Sequence, residues 1–281
     1  MSDLMGHSNS NDEMLAIVLN KAVQMPGMKV DREAFLRKQF KSESHEMITA
    51  IVEKGPIEAN FSRDKLRIKA RRIFLDRTLT SAGLSFAAGL PGGFAAGITI
   101  PADTLQFFTM ALRAAQEVAY LYGEDDFWNG EISDDEQVTG QLILYCGVMF
   151  GASGASSAVR VVSSQLAKAA LKQLPQRALT KGVIYPMVKS VAKLLTVQMT
   201  KGIFAKGVSK AIPVVGGIVS GSITLVTMRP MGLRLINVLD HSHFAYSDEQ
   251  LENDLSILNN VGRSSSASGR DIPDVVVGEI V

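Results

Sequence analysis

Three helix-length stretches of this chain, residues 78–102, 138–159 and 211–228, hold no charged side chain; glycine punctuates all of them, and proline the first and third. Uncharged segments of this length have to be buried, in a protein core or in lipid. The first is long enough for a bilayer crossing of about 20 residues. Pro91, Gly92 and Gly93 sit in its middle, however, and that turn signal divides it into a hairpin of two short helices, 80–89 and 94–100. The other two stretches carry glycines four apart, Gly147/Gly151 and Gly217/Gly221, the spacing that lets helix backbones approach closely. The expected class is all-α: a multi-helix bundle with glycine-rich apolar helical hairpins at its centre and basic amphipathic helices around them.

Charge is distributed as unevenly as hydropathy. Residues 137–239 contain no Asp or Glu and twelve Lys or Arg, a net +12 inside a chain whose total is +1. Within that block, Lys168 and Lys172 share a helical face opposite Val162, Leu166, Ala170 and Leu174, in a helix expected over 160–174. After Pro186, Lys189 and Lys193 lie opposite Val188, Val191, Leu195 and Met199, and Lys206 and Lys210 follow before Pro213. Each Lys beside an anionic lipid surface contributes about 1 kcal/mol, which makes these six the candidate lipid or anion contacts. The plainer reading is a set of solvated faces that serve solubility. Aromatics for base stacking are sparse there (Tyr145, Phe150, Tyr185, Phe204), which argues against nucleic acid as a partner.

The remaining chain reads as helices with recognisable ends. Residues 1–11 are polar and expected to be disordered, with neither the basic start nor the apolar run of a secretory signal, which points to the cytoplasm. Residues 12–60 form an expected helical subdomain with Asp12, Asp31 and Ser44 as caps and breaks at Pro26-Gly27 and Gly55-Pro56. A core follows over 61–258. Ser62 opens a helix with Arg63, Lys65, Arg67, Lys69, Arg71, Arg72 and Arg77 against Asp64 and Asp76; Leu66, Ala70, Ile73 and Phe74 share its docking face, and the cations are either solvated or anion-binding. Pro101 starts a helix to about Tyr122 on which Asp103, Gln106, Arg113, Glu117 and Tyr120 fall within a third of the circumference, with Arg113 and Glu117 spaced to pair. That stripe faces water, or it faces inward as a paired network or pocket wall. Gly123 ends the helix. Seven acids and no base follow over 124–136 without the spacing of an EF-hand, and Ser133 with Glu136 has the pattern of a capping box. Arg229-Pro230 is expected to end the third uncharged stretch, with a short helix over 233–239 beyond it. Ser247 opens another to Leu258, and 259–281 is an expected disordered tail.

The sequences that carry common chemistry (Walker A, G-x-G-x-x-G, G-x-S-x-G, H-E-x-x-H) do not occur, and a single cysteine, Cys146, excludes an internal disulfide or a multi-cysteine metal site. His241 and His243 beside Asp240 lack an evident third ligand, so no metal and no cofactor is expected. Other local sequences form a set: M-P-G-M-K-V-D-R at 25–32, L-P-G-G at 90–93, P-A-D at 101–103, A-Y-L-Y-G at 119–123, G-V-M-F-G at 147–151, A-L-T-K-G with Tyr185-Pro186, and F-A-K-G-V-S-K-A-I-P-V-V-G-G at 204–217. Through them the chain resembles the EcsC family of bacterial proteins over about residues 12–240. The resemblance implies a helical protein named for a gene beside an ABC exporter, with no agreed activity and no catalytic residues to carry over. The expected function is therefore a non-enzymatic protein peripheral to the inner face of the cytoplasmic membrane, acting on anionic lipid or beside a membrane protein complex such as an ABC exporter. The alternatives are a soluble enzyme or small-molecule or lipid-binding protein with a pocket between the central helices, and integral insertion through the uncharged stretches.

Overall fold

A computed structural model describes residues 18–80 (Asn20 excepted), 102–128, 135–164 (Ser153 excepted) and 221–267. These residues are helical with no strands: a short helical stretch within 18–24, then α1 Arg32–Gln39, α2 His45–Lys54, α3 Arg63–Thr80, α4 Ala102–Leu121, α5 Asp135–Phe150, α6 Ala155–Ser163, α7 Gly221–Phe244 and α8 Asp248–Ala267. The hub is α7, which packs on α3, α4, α5 and α6, while α8 lies on α6 and α1 bridges α2 and α4. Among the described residues no helix is long and apolar enough to cross a membrane.

Local chemistry sets most of the ends. Asp31 accepts from the Ala34 N–H at 2.8 Å and Ser44 from Met47 at 3.2 Å, each satisfying an otherwise orphaned donor of a first helical turn. Ser247 and Gln250 cap α8 reciprocally: the Gln250 N–H donates to Ser247 Oγ and the Ser247 N–H to Gln250 Oε1. At the end of α4, Gly123 adopts φ +88°, its N–H bonding to the Tyr120 carbonyl and that of Glu124 to the Ala119 carbonyl, the paired closure that favours a residue without Cβ.

The same closure overturns one expectation. Residues 138–159 are not a single helix: Gly151 takes φ +75°, its N–H bonds to the Val148 carbonyl and that of Ala152 to the Gly147 carbonyl, so α5 stops and α6 starts afresh after Gly154. Gly147 and Gly151 thus form a terminator instead of a seam along one helix, and this uncharged stretch is not a continuous span. Arg234 on α7 donates to the Met149 carbonyl at 2.9 Å, placing a cation at the negative end of α5. Nor does a helix start at Arg160: that residue belongs to α6, which ends at Ser163, and Ser164 is extended, while 165–174 lie outside the described residues.

Two other boundaries move the opposite way. Arg229-Pro230 ends nothing, because α7 runs straight through Pro230. The proline ring lies on the exposed side while Met228, Met231, Leu235, Ile236 and Leu239 are buried, so burial along one side of α7 outweighs the missing N–H. The last helix continues past Leu258 to Ala267. The expected hairpin with Pro91, Gly92 and Gly93, the six candidate lysines and the Ser133–Glu136 cap all lie outside the described residues.

α7 and α3 approach closely at Gly232. A Cβ there would sit 2.5 Å from Phe74 Cγ and within 2.8 Å of both neighbouring ring carbons. Phe74 is itself buried, so its ring has little room to yield. Gly232→Ala is expected to lower stability by about 1–3 kcal/mol through overpacking, read as an earlier midpoint in chemical denaturation. An unchanged midpoint would mean that the two helices do not meet this closely.

Candidate functional site

The stripe on α4 faces inward. Glu117 is buried between α3 and α4, where Arg77 engages both its carboxylate oxygens, through Nε at 2.8 Å and through Nη2, and Arg113 Nε stands 3.4 Å from Oε1. Burial depresses the Arg113 pKa and the neighbouring Arg77 charge adds to that, against the pull of Glu117. Tyr120 is fully buried: its hydroxyl lies 3.3 Å from the Val30 carbonyl and 3.2 Å from Asp126 Oδ1, and accepts from the Phe127 N–H. Gln106 is half-buried, and the side chain of Asp103 lies outside the described residues.

Sequence reasoning missed Gln116. Its Oε1 accepts from the Val30 N–H at 3.3 Å and from Trp128 Nε1 at 2.7 Å, and its Nε2 donates to the Met28 carbonyl at 3.2 Å. Arg32 adds bonds to the Glu124 and Val52 carbonyls. The segment 25–32 therefore folds over the end of α4 that carries 119–123, and two of the local sequences behind the EcsC resemblance are in direct contact. No pattern flagged Gln116, because its partners are backbone groups far along the chain. These polar groups bond to one another across the fold, and the described part of the stripe is a cross-link more than a ligand wall.

The cations of α3 sort into groups. Arg63 and Arg67 both grip Asp240 of α7, at 2.6 Å each, with the Tyr122 hydroxyl 3.4 Å away. The Asp240 side chain is 2% exposed; burial on its own would raise its pKa, but the two guanidinium groups hold it below the usual value. Arg77 holds Glu117. Lys65 lies over the Phe61 ring, and Lys69 lies over Phe40 while donating to the Gln39 carbonyl at 2.7 Å. On α6, Arg160 forms a two-pronged pair with Asp254 of α8 at 2.7 Å, joined by the Tyr246 hydroxyl at 2.8 Å. The ring of His243 lies against Tyr122 and that of His241 against Tyr246, and no group of three or more His, Cys, Asp or Glu among the described residues could hold a metal ion. Cys146 is buried, which pushes its thiol up to about 12 and leaves it inert.

Arg71 and Arg72 are what remain. Both are exposed, and neither has a hydrogen-bond or ion-pair partner among the described residues. With Ile68 and Leu75 they occupy positions i, i+3, i+4 and i+7, a single face turned away from the buried side of α3. Ile68 is 59% exposed and Leu75 45%, the large apolar side chains most open to solvent among the described residues. Beside this face, α3 and α7 form a groove of about 520 Å³ lined by the apolar Phe74, Leu75, Leu233 and Ile236, by Gly232 and by Arg71, Arg72 and Arg229. Arg229 is also exposed and without a partner among the described residues. The sequence exposed the cations of α3 but not their division, and nothing in it brings Arg229 to Arg71.

Fold and site together define an all-helical protein in which Glu117, Asp240 and Asp254 are buried and clamped by arginine, while Arg71, Arg72 and Arg229 line an apolar groove. None of the family models, curated proteins or solved structures compared with the chain matches it.

Proposed function

We propose that the protein is a non-enzymatic, peripheral membrane protein that works on an anionic lipid surface on the cytoplasmic side. The observation that supports this is the outward face of α3, where Ile68 and Leu75 stand exposed between Arg71 and Arg72, with Arg229 close by. Apolar side chains flanked by cations are the composition of helices that lie in the headgroup region: the apolar groups enter the acyl boundary and the cations meet phosphates. Three such cations supply roughly 3 kcal/mol at an anionic surface. The acid-free block over 137–239 adds further positive charge to the same chain. The EcsC resemblance suggests the setting, beside a membrane complex such as an ABC exporter. The competing reading, a soluble enzyme with its pocket at the α4 stripe, is weakened because Glu117 and Tyr120 direct their polar atoms to partners within the fold.

Flotation with phosphatidylglycerol vesicles tests the proposal. Binding is expected at 0.1 M salt and largely lost at 1 M, as the Debye length shrinks from about 10 Å to about 3 Å. Phosphatidylcholine vesicles should capture little at either salt. Equal capture by both lipids, or none by either, would remove the anionic-surface reading.

A further inference from the structure

We propose that the groove between α3 and α7 binds a single phosphate-headed lipid, its acyl chain along Phe74, Leu75, Leu233 and Ile236 and its phosphate among Arg71, Arg72 and Arg229. This rests on the anionic-surface reading and adds to it a defined, one-to-one lipid site. Size fits: about 520 Å³ lies within the roughly 300–1,000 Å³ of ordinary ligand sites. The lining is more restrictive than the size. Among the described residues, its polar side chains are all arginine, which donates hydrogen bonds and accepts none, and the rest of the described lining is apolar. A sugar or a nucleobase needs acceptors as well as donors, so neither suits this lining. A molecule with an apolar body and an acceptor-only anionic head does.

Charge bears on the occupant too. The arginines that serve the fold, at 63, 67, 77 and 160, each face a carboxylate, and Arg234 faces a backbone carbonyl. Those at 71, 72 and 229 face none among the described residues, leaving three like charges around one groove, a repulsion that an anion would relieve. A phosphate monoester brings three acceptor oxygens and nearly two negative charges, a closer match to three guanidinium groups than the two oxygens and single charge of a carboxylate. The chain's own residues 165–220 carry no acid, so they share the sign of the groove edge instead of complementing it.

The test is calorimetric titration of the full chain with oleoyl lysophosphatidic acid below its micelle-forming concentration. Oleate and oleoyl lysophosphatidylcholine serve as the carboxylate and zwitterionic controls. One-to-one binding is expected for lysophosphatidic acid, at least tenfold weaker for either control. Arg229→Gln should weaken it at least tenfold, and Leu75→Asp, which puts a carboxylate into the groove, should abolish it. Both positions are exposed or nearly half so, and thermal melting of each variant should match wild type. No binding of lysophosphatidic acid, binding equal to that of lysophosphatidylcholine, or wild-type affinity in both variants would overturn the site. Binding that appears only when Asp271, Asp274 and Glu279 are replaced by their amides would also overturn it, by making the acidic C-terminal segment the occupant. The two readings separate cleanly: vesicle flotation without monomer binding removes the groove and leaves the surface, and monomer binding without flotation does the reverse.

Discussion

Replacing Arg160 with Ala is expected to destabilise the folded chain by about 3–5 kcal/mol, the range for removing one partner of a buried pair. Asp254 is 2% exposed, and among the described residues Arg160 is the cation that neutralises it; without Arg160 the carboxylate keeps only neutral hydrogen-bond donors such as Tyr246 among those residues. The pair also fastens α8 to α6, so the loss should be seen in urea denaturation as a lower midpoint. A pH dependence follows. In wild type, burial pushes the Asp254 pKa up, but Arg160 and its other hydrogen-bond partners hold it below the usual carboxylate value. A depressed carboxylate pKa contributes stability that is complete above the unfolded value and lost as pH falls through the folded one. In the variant, burial dominates and the folded pKa rises instead. The stability gap between the two proteins is therefore expected to narrow as pH drops from 7 to 4. A gap that widens over that interval, or a loss below 1 kcal/mol at pH 7, would place Asp254 in solvent.

A loss of the same size is expected at Glu117, but only from a double substitution. Arg77 and Arg113 both lie against this 2% exposed carboxylate, and either one leaves it a countercharge when the other is removed. Arg77 makes the aligned hydrogen bonds, whereas Arg113 Nε has no hydrogen-bond partner among the described residues. Arg77→Ala should therefore be the more costly single change and Arg113→Ala the milder. Arg77→Ala with Arg113→Ala should exceed the sum of the two by about 1 kcal/mol or more, the sign of a shared buried partner. Strict additivity in denaturation midpoints would show that the two arginines do not share Glu117.

Where the sequence could be read, the controlling chemistry was local. Asp31, Ser44 and Ser247 cap helices within three residues of themselves, Gly123 closes α4, and the spacing of Leu66, Ala70, Ile73 and Phe74 picks out the buried face of α3. Where it could not, distant packing decided. Pro230 is a helix breaker by local rule, yet α7 passes through it because its other side is buried against four helices. Gly151 has a helix-pair spacing and a helix-terminator conformation, and only the fold chooses between them. The arginines of α3 look equivalent along the chain. Their division depends on Asp240, which lies 177 residues from Arg63 and 173 from Arg67, and no periodicity reports on contacts at that range.

That division, between arginines that hold the fold and arginines proposed to meet lipid, is best tested by comparing two multiple variants for stability and for flotation on phosphatidylglycerol vesicles at 0.1 M salt. The chain with Arg71, Arg72 and Arg229 all replaced by Gln should keep the wild-type denaturation midpoint and lose at least half of its vesicle-bound fraction. Arg63→Gln with Arg67→Gln, which strips Asp240 of both its cations, should instead lower the midpoint and, at temperatures where it remains folded, float like wild type. A triple variant that floats as well as wild type, or that unfolds as readily as the double variant, would contradict the account.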